Sequence, residues 1–164
     1  MKLKENEQMN DSLRTGIAFG LTSAIITTLG LMVGLHSGTH SRVVVIGGIL
    51  TIAIADAFSD ALGIHISEEA KSQSTAKQVW GATIATFLTK LIFALTFVVP
   101  VLVFSLSTAI TVSMVWGLSA LTILSYVIAK SQNEPAWKII GEHLAIAIIV
   151  IAITKHVGHW IGTL

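Results

Sequence analysis

Two carboxylates, Asp56 and Asp60, sit four residues apart in the stretch IADAFSDALG. On a helix that spacing places them on one face, and Gly63 continues the same face. The segment around them is apolar. Acids there are costly and face either the interior of a bundle or water, which makes them functional candidates by default. Two carboxylates side by side repel unless one is protonated or a cation lies between them. The pair therefore suits a proton or a hard divalent cation held by oxygen ligands. A structural alternative is also available, because Lys90 lies inside the next apolar stretch and could neutralise the pair.

A second pattern lies upstream. Gly16, Gly20, Ser23, Thr27, Gly30 and Gly34 recur at spacings of three and four, which draws one narrow stripe of small side chains along a helix. Within a membrane such a stripe either lets another backbone approach or lines a narrow polar path. Both roles hold if the stripe meets its own copy across a dimer.

Histidines and glutamates gather near the ends of the apolar stretches. His65, Glu68, Glu69, Glu142 and His143 belong to one side and could collect cations at a mouth. For Glu142 and His143 alone, interfacial capping of helix ends is the better explanation. His36, His40, His156 and His159 belong to the other side and form a possible outer metal site, although polar residues at span ends are commonly just solvated. Met32 and Met114 read as packing residues and Lys155 as a snorkelling one. No nucleophile–base pair, phosphate loop or zinc-protease motif is present, so no catalytic residue is assigned and an enzyme is not expected.

The elements that must position these groups follow from hydropathy. Of the 164 residues 53% are hydrophobic and 12% charged, about half the usual charge, and mean hydropathy is +0.80. Five apolar segments cover roughly residues 16–35, 43–66, 80–104, 108–129 and 139–161, each near the ~20 residues that cross a bilayer. The expected fold is an all-α integral membrane bundle of five transmembrane helices (residues 16–164) behind a polar N-terminal segment (residues 1–15) that lacks the pattern of a cleaved signal. Pro100 should loosen the third span just before a tight hairpin at Ser105–Ser107. Lys2, Lys4, Arg14, Lys71, Lys77, Lys130 and Lys138 fall on one side, with only Arg42 clearly in a loop on the other. The positive-inside rule then puts the N-terminus in the cytoplasm and the C-terminus outside, with a cytoplasmic membrane as the expected location. A net charge of +1 gives no basic surface for nucleic acid. With no cysteine there is neither a disulfide nor a thiolate metal site.

The chain resembles the vacuolar iron transporter family. SAIITTLGLMVGL (residues 23–35) is similar to the family's first-helix signature, and ADAFSDALGIHISEEAKS (residues 55–72) to its second. The resemblance implies a homodimeric, proton-coupled exporter of Fe²⁺ or Mn²⁺, with the metal as cargo and no permanent cofactor. It also implies a path between the first two helices at the dimer axis. By position Asp56 matches the family's second-helix Asp, and Ser59, Gly63 and Ser67 its small residues. Taken with the stripe and the acid pair, the expected path residues are Ser23, Thr27, Gly30, Gly34, Asp56, Ser59, Asp60 and Gly63, and the expected metal residues Asp56, Asp60, His65, Glu68 and Glu69. This sequence departs from the family pattern: Ser23 replaces the first-helix Asp, Asp60 the second-helix Met, and Ile64 and His65 the Glu-Tyr pair. The family's cytoplasmic metal-collecting domain between spans two and three is reduced to a short linker. An all-oxygen site is harder and favours Mn²⁺ or Mg²⁺ over Fe²⁺. The alternative expectation is a non-transporting scaffold that keeps the bundle without a working metal path.

Overall fold

A computed structural model describes residues 2–72 and 74–164, with side chains from residue 8 onward. Lys2 and Lys4, which entered the orientation argument, thus have side chains outside the described residues. The order is α1 (Lys2–Thr39), α2 (Arg42–Glu69), α3 (Ala76–Thr96), α4 (Val98–Val103), α5 (Leu106–Gln132) and α6 (Ala136–Ile161). Five helical stretches are long and apolar enough to cross a membrane, with α3 and α4 forming one of them. The chain is an all-α, multi-pass membrane protein. The polar N-terminal segment is not separate, since it runs without a break into the first span.

The third span is interrupted at Phe97. Pro100 offers no N–H to the Thr96 carbonyl and its ring crowds that turn, so the helix yields there, and the Phe97 N–H donates to Ala94 instead. Short connections turn each helix back on the last. Thr75 and Gln78 form a reciprocal capping box that starts α3. Asn133 closes α5 in the left-handed conformation, φ 56°. At the opposite end Arg42 donates to the Phe104 carbonyl at 2.7 Å, placing a cation at the C-terminus of α4.

Half of the apolar window of α1 is buried, against 6% for α6, so the first helix is the centre about which the others stand. Ile25, Leu29 and Met32 of α1 meet Ile49 of α2, Phe97 and Leu121 in the main core. Phe58, Leu62, Ile92, Ile123 and Ile153 face outward, as a lipid-solvated surface requires.

Apolar surface gains little by leaving lipid for protein, so helix contacts depend on close fit and small residues. The α1 stripe is used in this way inside the chain. A Cβ added at Gly20 would lie 2.7 Å from the Thr86 carbonyl oxygen of α3, and one at Gly30 3.0 Å from Val150 of α6. Higher up, Gly34 and Gly38 face Gly158 and Gly162, two Gly-xxx-Gly pairs on parallel helices, and a Cβ at Gly158 would collide with the Gly34 carbonyl. The glycines of this seam, expected to meet a second copy, have α3 and α6 of the same chain as their neighbours. An outward stripe of small residues lies instead on α2, where Gly47, Thr51, Ala55, Ser59, Gly63 and Ser67 are all exposed. Nothing stands within 4 Å of a Cβ added at Gly47 or Gly63.

Candidate cation site

Asp56 and Asp60 do share one face of α2, and that face turns toward α3 and α1. Between them sits the ammonium of Lys90. The Lys90 side chain, 1% exposed, leaves α3 near the middle of the third span and reaches the pair. Lys90 Nζ donates to Asp60 Oδ2 and to Ser23 Oγ of α1 at 2.7 Å. It stands 2.5 Å from Asp56 Oδ2 as an ion pair, but that oxygen has no aligned hydrogen bond. The ammonium is thus committed to Asp60 and Ser23 and attracts Asp56 by charge alone.

Two carboxylates and one ammonium leave the triad with a formal charge of −1. Each carboxylate remains partly accessible, 26% for Asp56 and 17% for Asp60. Asp56 opens onto a groove of about 640 Å³ between α1 and α2, lined by Leu31, Leu35, Gly48, Thr51 and Ser59. Of the expected path residues, then, Ser23, Asp56 and Asp60 converge, and Ser59 lines the groove. Gly63 lies on the open face of α2. Thr27 turns its hydroxyl back to the Ser23 carbonyl at 2.8 Å. Gly30 and Gly34 sit instead against α6.

The acidic and imidazole groups near the N-terminal end of the bundle separate. His65 hydrogen-bonds Thr83 at 2.9 Å, approaches Glu69 at 3.5 Å and meets the Trp80 ring edge-on. Glu68 points elsewhere. Only 2% exposed, it pairs with Lys71 at 2.5 Å and lines a polar cavity of about 520 Å³ with Gln8, Asp11, Ser12 and Gln78. Adjacent residues on a helix diverge by about 100°, which is why Glu68 and Glu69 cannot act on one ion from this geometry. His143 is taken up by Ser125 of α5 at 2.8 Å, and Glu142 is exposed. Among the described residues no group of three His, Asp or Glu side chains stands close enough together to hold a metal ion.

At the far end His36, His40 and His159 line a common cavity with Lys155 and Met114. His156 is not with them: it is exposed and bonds the Ala152 carbonyl of its own helix at 2.7 Å. The glycine pair Gly158 and Gly162 is a feature not read from the sequence, where their spacing of four was the available signal, and Lys155, read there as a snorkelling residue, lines this cavity. In comparisons with protein-family models, curated proteins and solved structures, nothing matches this chain.

Removing Lys90 leaves two carboxylates facing each other in a poorly solvated site. Lys90→Met should cost on the order of 3 kcal/mol, read by reversible unfolding in detergent micelles. Adding Asp60→Asn to it should recover part of that loss, a coupling of about 1–3 kcal/mol. Additive losses would mean that the ammonium and the carboxylates do not depend on each other.

Proposed function

We propose that this protein carries a divalent cation, Fe²⁺ or Mn²⁺, out of the cytoplasm in exchange for protons, with Asp56 and Asp60 as the cargo's ligands. The supporting observation is the position of Lys90, whose ammonium occupies the place between two carboxylates that a cation would take. In this reading the lysine is a tethered counter-ion. A divalent cation arriving from the cytoplasmic end takes Asp56 and Asp60, and Lys90 gives up a proton and leaves them. The site then changes from −1 to neutral: two positive charges enter and one proton departs. A neutral state of the triad is the cheaper one to hold within a membrane. The groove beside Asp56 is the route for the cation toward the outer end, and the resemblance to the vacuolar iron transporter family points to the same helix pair.

A homodimer belongs to this proposal, seated on α2 rather than on the first span. The exposed row Gly47, Thr51, Ala55, Ser59, Gly63 and Ser67 repeats every four residues, the ridge that suits close right-handed helix crossings in lipid. A second copy there covers the opening beside Asp56, which would otherwise bring a carboxylate next to hydrocarbon.

A non-transporting scaffold is favoured by one observation, the same ion pair read as permanent: Lys90 then serves only to neutralise buried acids. Flux separates the two. Reconstituted into proteoliposomes, the protein should give saturable Mn²⁺ or Fe²⁺ flux that an opposing proton gradient accelerates, and Asp60→Asn should reduce it to the protein-free background. No flux from folded protein supports the scaffold, and undiminished flux in that variant would remove Asp60 from the cargo's ligands. The chain has no cysteine, so single-cysteine variants report contacts cleanly. Ser59→Cys should cross-link between copies in membranes and Ile153→Cys, on the outer face of α6, should not; the reverse pattern would remove the α2 interface.

A further inference from the structure

All side-chain carboxylates of this chain belong to its N-terminal segment, to the middle of α2 or to the N-terminal end of the bundle. The opposite end has basic and neutral polar groups only, and several of them surround a cavity of about 670 Å³ between α1, α5 and α6. His36 and Ser37 enter it from the end of α1, His40 from the turn that follows, Ser107 from α5, and Lys155 and His159 from α6. The His36 and His40 rings lie 5.3 Å apart. His36 Nδ1 is buried and has no hydrogen-bond partner, an expense that a ligand would relieve.

Sequence alone suggested a metal site for these histidines. The cavity argues against a cation, because the Lys155 ammonium shares it and no side-chain carboxylate lines it. What the lining offers is donors. A neutral imidazole presents one N–H, a hydroxyl one O–H and the ammonium three N–H groups. Several donors lining one cavity beside a fixed positive charge suit an oxyanion. Trp160, 62% exposed and next to His159 in sequence, is of the residue type that marks the headgroup level of a bilayer.

We infer that this cavity is an oxyanion site for a phosphate group, held by Lys155 with His36, His40 and His159 as hydrogen-bond donors. The phosphate has two sources, an anionic lipid headgroup or the free ion. The inference does not depend on the transport reading, since it uses none of the triad.

Two probes distinguish the sources. Purified protein in a neutral detergent is dialysed against radiolabelled inorganic phosphate, and the same protein is examined by native mass spectrometry with phosphatidylglycerol or phosphatidylcholine added. Saturable phosphate binding identifies the free ion, and retention of phosphatidylglycerol over phosphatidylcholine identifies the lipid. In either case Lys155→Gln should weaken binding roughly tenfold, Lys155→Arg should retain most of it, and Lys138→Gln at the other end should leave it unchanged. Binding of neither probe to the unaltered protein overturns the site. So does binding that Lys155→Gln leaves intact, or saturable Zn²⁺ binding that is lost in His36→Ala but not in Lys155→Gln.

Discussion

A charged group within a bilayer is tolerated only when something nearby answers it, and in this protein three charges answer one another. The Lys90 ammonium draws Asp56 and Asp60 of α2 onto α3 and at the same time bonds Ser23 of α1. Three helices thus meet at a single nitrogen. If the pair were unanswered, α2 would have to expose its acids to lipid or rotate them away, and its apolar contacts to α1 through Val45 and Ile49 would turn with them. The bridge is incomplete in one respect that bears on function: one negative charge remains over, and Asp56, the partner without an aligned hydrogen bond, is the more accessible of the two.

The rest of the bundle closes around α1 by fit rather than by expulsion of water. Its glycines admit the backbone of α3 along one half and that of α6 along the other. With those faces filled, the side of α1 that carries Leu31 and Leu35 is the one left at a groove, and this groove leads to Asp56. Position, charge and access therefore converge on the α1–α2 boundary. The side chains at the far end of the bundle are basic or neutral and include no carboxylate, so that end differs in chemistry from the mid-membrane triad.

Much of this was legible in the chain itself. Hydropathy placed the five spans, the fixed ring of Pro100 marked the break in the third, and the spacing of Asp56 and Asp60 put them on one face. Lys90 was visible as a possible partner, but a lysine near mid-span can reach about a turn up or down, and spacing does not say where its ammonium ends. The α1 stripe announced close approach without saying to what, because a small-residue seam fits a helix of the same chain as well as one of another copy. Gly158 and Gly162 held the missing half of that information. The row on α2 was likewise present in the sequence, but its exposure depends on which faces the other helices leave uncovered. His156 and His159 share a helical face by count, yet His156 turned to its own backbone, a choice that local hydrogen bonding makes and spacing does not.

The central claim is that the cargo cation and the Lys90 proton compete for the same two carboxylates. Calorimetric titration of Mn²⁺ into the detergent-solubilised protein, repeated in buffers of different ionisation enthalpy, counts the protons released on binding. Mn²⁺ binding should release a proton in the unaltered protein, and Lys90→Met should still bind Mn²⁺ but release none. Binding without proton release in the unaltered protein, or the same release after Lys90 is replaced, would contradict it.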